Sequence, residues 1–254
     1  MSQPLLSVDD AAVRFGAHEV LRGVSCEVRA GEVVALIGPN GAGKTTLFNA
    51  ISGFVRLSRG SISLNGKSLA GLRPGPLFAA GVARTFQEGN LFESMTVQEN
   101  LFGASGISRL RDAFGTFFAT PSGRHREVAA RERARSLADE FNVTRLLDKQ
   151  ASDVSTGSRR LVGLGRALAA DPVLLLLDEP AAGLSINNRA MLSRIVRAIA
   201  GNGKRGILLV EHDLDFVSDS ADRVYVLHLG EIVAEGTPAE VRRDPGVRAA
   251  YLGS

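Results

Sequence analysis

The sequence predicts an α/β fold: buried strands alternating with helices, preceded by antiparallel β elements and interrupted by an inserted helical subdomain. Three observations lead there. Short apolar runs at 33–37, 173–177 and 206–210 read as strands, because strands covered on both faces are hydrophobic throughout. Helical spacing appears beside them, over 46–51, 158–170 and 187–200. Between residues 87 and 153 the strand-like runs give way to helices and loops.

Taken in order, Leu5–Val8, Ala12–Gly16 and Glu19–Leu21 read as short strands, and Val24–Val28 as another. Gly60–Gly66 alternates polar and apolar residues and closes on the turn-forming pair Asn65-Gly66. Within the insertion, Val97–Leu101 starts a helix behind the cap residue Thr96. Residues 109–123 read as a loop with an apolar side, carrying Phe114, Phe117 and Phe118. Residues 124–141 read as an amphipathic helix on which Glu127 and Arg131 are spaced to pair. Tyr225–Leu227 and Glu231–Val233 complete the sheet. No internal repeat or low-complexity run occurs.

Composition bounds the function. The 254 residues are 44% hydrophobic and 22% charged, ordinary for a globular chain with a sizeable core. A net charge of +3 gives no case for a nucleic-acid surface, and acidic residues interrupt the basic run of 124–141. The single cysteine, Cys26, excludes an internal disulfide and suits a reducing compartment. Met1–Pro4 lacks the basic and apolar regions of a signal peptide. The longest apolar run, Val173–Leu177, stops at Asp178 and is far too short to span a bilayer. A role at a membrane therefore requires a partner that spans it.

The chemistry concentrates in Gly38-Pro39-Asn40-Gly41-Ala42-Gly43-Lys44-Thr45, which fits the phosphate-loop pattern between a strand and a helix. Its glycines let backbone N–H groups turn inward on phosphate oxygens, and the helix N-terminus adds partial positive charge. Lys44 is placed to reach the β- and γ-phosphates and the Thr45 hydroxyl to bind Mg²⁺, with Thr46 extending the set into the helix. A second element, Val173–Leu177 followed by Asp178-Glu179, delivers two carboxylates to the edge of the sheet where ligands sit. Asp178 can hold Mg²⁺ through water, and Glu179 can orient or deprotonate an attacking water. These residues place the chain among P-loop NTPases, with a RecA-like core.

Further residues in order resemble the ATP-binding subunit of ABC transporters: Phe15 before the phosphate loop, Gln87 where the core meets the insertion, Ser155-Thr156-Gly157-Ser158 before a helix, and His212 after the strand 206–210. The resemblance covers nearly the whole chain. It implies that Phe15 stacks on adenine and that Gln87 senses Mg²⁺ and the attacking water. It implies that Ser155 and Gly157 bind the γ-phosphate held by a second ATPase subunit, in a homodimer or a paralogous heterodimer. His212 is then expected to contact the γ-phosphate and hold the catalytic geometry. Two departures stand out. The family's Leu-Ser-Gly-Gly-Gln reads Val154-Ser155-Thr156-Gly157-Ser158, and the aspartate of its Ser-Ala-Leu-Asp loop is Ser185.

Within that family, Ala83–Gln87, Leu91-Phe92, Met95–Leu101, Thr120–Ser122, Leu177–Leu184 and Ala250–Gly253 look like the branched-chain amino acid import ATPases. Urea/amide importers and lipopolysaccharide-export ATPases share part of the pattern, and soluble ABC ATPases of repair or translation are a further alternative. The resemblance implies ATP and Mg²⁺ as cofactors, transmembrane permease subunits as partners, a solute-binding protein engaged indirectly, and no nucleic acid. It implies a peripheral position on the cytoplasmic face of the inner membrane. Leu91, Phe92, Phe114, Phe117 and Phe118 are candidates to line the permease groove, or else form the helical subdomain's own core. The expected organisation is an N-terminal part of the ATP-binding core at 1–86, a helical subdomain at 87–156 and the C-terminal part of the core at 157–254.

Overall fold

The structure is a computed structural model and describes residues 3–85, 91–107 and 121–247. Its strands and helices run β1 (Leu6–Phe15), β2 (His18–Val28), β3 (Val33–Ile37), α1 (Lys44–Ile51), β4 (Arg59–Leu64), β5 (Lys67–Ser68), α2 (Pro74–Ala79) and β6 (Val82–Arg84). They continue with α3 (Val97–Ile107), α4 (Pro121–Glu140), α5 (Thr156–Ala169), β7 (Leu174–Asp178), α6 (Ile186–Gly201), β8 (Gly206–Val210), α7 (Leu214–Ser220), β9 (Arg223–His228), β10 (Glu231–Gly236) and α8 (Pro238–Arg243). This is the mixed α/β fold expected of a P-loop NTPase.

Two compact units emerge. The first joins residues 1–82 to 173–254, and the second is Ala83–Pro172. The division differs from one at 87 and 157, because helix α5 packs on α3 and α4 and so belongs with the insertion.

In the first unit a sheet of order β10-β9-β3-β8-β7-β6 carries the site, and a second sheet of order β2-β1-β4-β5 covers it. Strands β9, β3, β8 and β7 are parallel. Alternation decides which side of β3 faces what. Val34 and Leu36 join Leu6, Val13, Leu21, Phe48, Leu176 and Leu208 in one buried core. On the sheet, α6 contacts β3 and β8. The four short N-terminal strands of the sequence reading are two long ones. Bulges near Val8–Ala11 and Val13–Arg14 absorb what looked like breaks, with Asp10 at a φ of 47°. Helices α2, α7 and α8 and strand β6 were not foreseen. They are short, and tertiary packing outweighs their weak periodicity. Helix α8 does carry a sequence signal, Pro238 at its start and a capping box between Thr237 and Glu240.

Cys26 is buried as expected, and burial pushes its thiol up to about 12, so it is an unreactive packing residue. At the sheet's other end Arg223 gathers several partners. Its Nε donates to Glu32 Oε1 at 2.8 Å, and its two terminal nitrogens donate to Glu235, to the Tyr225 hydroxyl and to the Glu27 carbonyl. This ties β2, β9, β10 and the 29–32 turn together.

The second unit is helical. Thr96 and Glu99 form a reciprocal cap, Glu99 N donating to Thr96 Oγ1 at 3.1 Å and Thr96 N to Glu99 Oε2 at 2.7 Å. The cap expected at Thr96 is therefore present. Val97, Leu101, Leu137, Phe141, Val162 and Leu168 form the core. Buried Asn100 accepts from Phe92 N and donates to the carbonyls of Phe92 and Thr96, pinning the segment ahead of α3. Leu91 is buried, while Phe92 is exposed with the Arg166 guanidinium 4.6 Å from its ring centroid. Phe114, Phe117, Phe118 and the Glu127 side chain lie outside what the structure describes, and Pro121–Gly123 open α4 rather than end a loop. Among the described residues no helix is long and apolar enough to cross a membrane.

Candidate active site

Parallel pairing puts three loops on one edge of the sheet. Leu36 of β3 pairs with Val210 of β8, and Asp178 of β7 pairs with the same Val210. The phosphate loop therefore begins at Gly38, the acidic pair ends β7, and Glu211-His212 leaves β8, all at carboxyl ends of adjacent strands. That is where open α/β sheets bind ligands.

The phosphate loop is shaped by close approach. Gly38 has a φ of 152°, and a Cβ there would sit 2.0 Å from the Leu227 carbonyl oxygen. Gly43 has a φ of 109°, and its Cβ would meet Leu21 Cδ2 at 2.7 Å. Pro39 and Ala42 are buried, whereas Asn40, Gly41 and Thr45 are exposed and Thr46 half-buried. Gly43 also precedes α1 without a side-chain cap, leaving the first-turn N–H groups of that helix to a ligand. Lys44 is 6% exposed, and its Nζ donates to the carbonyls of Gly38 at 2.7 Å and Pro39 at 2.9 Å. Burial holds this ammonium below its usual range, with the charge of Glu179 pulling the other way. A cation desolvated inside a glycine loop, facing uncapped helix N–H groups, fits a polyphosphate. The Thr45 hydroxyl and the buried Asp178 carboxylate are hard oxygen donors of the kind Mg²⁺ takes.

Glu179 sits at a φ of 46°, and its N–H donates to Val210 O at 3.0 Å. This left-handed turn re-aims the chain as it leaves β7, and the Glu179 carboxylate meets His212 Nε2 at 3.0 Å. Lys44, Asp178, Glu179 and His212 thus gather at one edge. Phe15 ends β1 at 54% exposure, so it is no core residue, and its ring is open to a ligand. Gln87 lies outside the described residues. Ser155 and Gly157 are in the second unit, at the start of α5, where Ser155 Oγ accepts from Ser158 N at 3.3 Å as the helix cap. Ser185 caps α6 in the same way, accepting from Asn188 N at 3.4 Å, a duty that the family's aspartate could also perform.

Three site residues went unremarked in the sequence. Glu211 is buried and accepts three backbone N–H groups. Asp213 caps α7 and pairs with Arg189 of α6. The signal was a charged residue directly after a fully buried strand, in Val210-Glu211-His212-Asp213.

Comparison with known proteins agrees with this architecture. Residues 21–182 match the ABC transporter family, and residues 231–254 match the branched-chain amino acid ATP-binding cassette transporter family. The chain is 40% identical to the high-affinity branched-chain amino acid transport ATP-binding protein LivG of Salmonella typhimurium, over 100% of this chain and 99% of that one. It is 37% identical to BraF of Pseudomonas aeruginosa, a protein of the same description, with the same coverage. It is 34% identical to the lipopolysaccharide export system ATP-binding protein LptB of Haemophilus influenzae, over 98% and 97%. Among solved structures, an ATP-binding cassette of an ABC transporter in its ADP conformation superposes with a TM-score of 0.84 at 32% identity, covering 100% of both chains. With a phosphate loop, an acidic strand end and a histidine joined on one sheet edge, and with kinship along its whole length, the chain belongs to the ABC transporter family as an ATP-binding, ATP-hydrolysing subunit.

Proposed function

We propose that this chain powers import of branched-chain amino acids from the cytoplasmic face of the inner membrane, bound to transmembrane permease subunits. The observation that carries the substrate class is the match of residues 231–254 to the branched-chain family, added to 40% identity with LivG along the full chain. A membrane-spanning partner is required because no described helix can cross a bilayer. The amino acid itself is handled by a solute-binding protein and the permease, so its identity reaches this subunit by kinship alone.

The residues divide the work as follows. Phe15 stacks on adenine. The phosphate loop, residues 38–46, cradles the phosphates through backbone N–H groups, and Lys44 turns its ammonium from the loop carbonyls to the β- and γ-phosphates. Thr45 and Asp178 would hold Mg²⁺, and Gln87 would sense the ion and the attacking water. Bound there, Mg²⁺ supplies charge neutralisation at the transferred phosphoryl group. Glu179 accepts the proton of the attacking water, and His212 fixes Glu179 and contacts the γ-phosphate. Ser155 and Gly157 of a second ATPase subunit close the site, at a helix N-terminus suited to an anion. ATP then joins two subunits, hydrolysis separates them, and the permease follows.

Purified Glu179→Gln protein tests the mechanism: it should bind ATP and dimerise in an ATP-dependent way. Absence of such dimerisation, even with the permease present, removes the main support. Affinity recovery from membranes tests the assignment. Multi-span permease subunits, a solute-binding protein and uptake of labelled leucine are expected; recovery with ribosomes or lipopolysaccharide-export components would redirect it.

A further inference from the structure

We propose that Glu211 is a positioning residue for ATP hydrolysis, holding the loop that carries Glu179 and the loop that carries His212 in one register. The proposal rests on the reading of Glu179 and His212 given above and adds the group that sets their separation. Glu211 is 2% exposed, and its carboxylate bonds to backbone N–H groups on both loops. One oxygen, Oε1, accepts from Ala181 N at 2.7 Å, two residues beyond Glu179. The other, Oε2, accepts from His212 N at 3.0 Å and from Asp213 N at 3.4 Å.

One carboxylate therefore bridges two loops that strand pairing leaves at Val210. This matters because the Glu179–His212 contact is held from both ends by irregular backbone. Glu179 has a left-handed φ, and both side chains are partly solvent-accessible. Past the strand ends, β8 holds the first of these loops through the Glu179 N–H to Val210 O bond at 3.0 Å, but that bond does not reach the loop carrying His212. Glu211 links the two, since a buried carboxylate accepting three backbone N–H groups is a stiff junction whose donors would be left unpaired without it. Arg189, paired with Asp213, reinforces the same corner from α6.

Glutamine is the discriminating replacement. It keeps the volume, yet whichever way the amide lies, an NH₂ faces backbone N–H donors on one of the two loops. One link is lost and the other kept. Small displacements of catalytic groups are costly, so kcat of Glu211→Gln should fall about tenfold or more while ATP affinity stays within about twofold. In a His212→Ala background the same change should lower kcat by no more than about twofold, because the geometry it protects is already gone. The imidazole ¹⁵N resonances of His212 should shift in Glu211→Gln.

A merely structural role would lower thermal stability, add independently to His212→Ala and leave those resonances in place. Glu211→Asp, which keeps the charge on a shorter arm, gives the same readings should the glutamine variant be insoluble, with a smaller loss of kcat. Wild-type kcat and unmoved His212 resonances in a folded variant overturn the proposal. Wild-type hydrolysis by Glu179→Gln would instead overturn the reading beneath it, so the two failures are distinct.

Discussion

His212 Nε2 lies 3.0 Å from Glu179 Oε1, so the residue that leaves β8 closes directly on the residue that leaves β7. Two partly exposed side chains on separate loops meet at the sheet edge beside Lys44. If Glu179 is the general base proposed above, the contact gives His212 the duty of holding it. His212→Ala should lower kcat by about 10²-fold, the scale of a misplaced general base, while leaving ATP affinity nearly unchanged. Phosphate release under saturating ATP, paired with a nucleotide-binding isotherm, measures both.

Gly38 is the tightest point of the phosphate loop. With a φ of 152° and the Leu227 carbonyl oxygen 2.0 Å from a built Cβ, a side chain cannot enter without moving β3 or β9. Gly38→Ala should destabilise the protein by about 3 kcal/mol and abolish ATP binding, since strain and clash act on the same loop. Thermal unfolding with and without ATP reads it: the variant should melt lower and gain no stabilisation from nucleotide.

Arg223 has a 16% exposed side chain and Glu32 a 14% exposed one. Removing the guanidinium takes the Arg223 donors from Glu32 and from the Glu27 carbonyl, leaving the Glu32 carboxylate with the Arg29 N–H and, among the described residues, no paired cation. Arg223→Met should therefore cost about 2–3 kcal/mol in urea unfolding, even though methionine packs well there. A loss below about 0.5 kcal/mol would mean that the cluster is a solvated ornament.

Asp213 contributes a pH dependence. The N–H of Phe216 holds its carboxyl below the usual range, opposed by partial burial and aided by Arg189. A depressed folded value means that the ionised form stabilises the fold. That contribution is complete above the unfolded value of about 3.9 and is lost as pH falls through the folded one. Asp213→Asn keeps the cap oxygen but not the charge, so it should cost about 1 kcal/mol at pH 7. Wild type and variant should converge as pH falls below about 4 and through the depressed folded value, followed by chemical denaturation at successively lower pH.

Much of the fold was legible because its strands are buried on both faces. Val33–Ile37, Val173–Leu177 and Gly206–Val210 are continuous apolar runs, and no other pattern competes with them. Elements that depend on tertiary contacts were not legible. Helix α7 is seven residues long and starts on the Asp213 cap. The two long N-terminal strands were read as four, since bulges look like turns when only residue types are seen. Helix α5 joins the insertion because Gly165 lets Leu101 and Phe141 come close, which spacing does not reveal.

By itself the sequence determined the phosphate loop, the acidic strand end and the family, because these depend on glycine, lysine and carboxylate types at fixed local spacing. Only the tertiary structure decided that Glu179 meets His212, that Lys44 is buried against loop carbonyls and that Phe15 is exposed. It also brought out Glu211, whose three donors come from residues 181, 212 and 213. The physical reason is that β7 and β8 are parallel neighbours thirty-odd residues apart in the chain. Their shared edge, and the free energy of burying a carboxylate there, exist only once the sheet has formed.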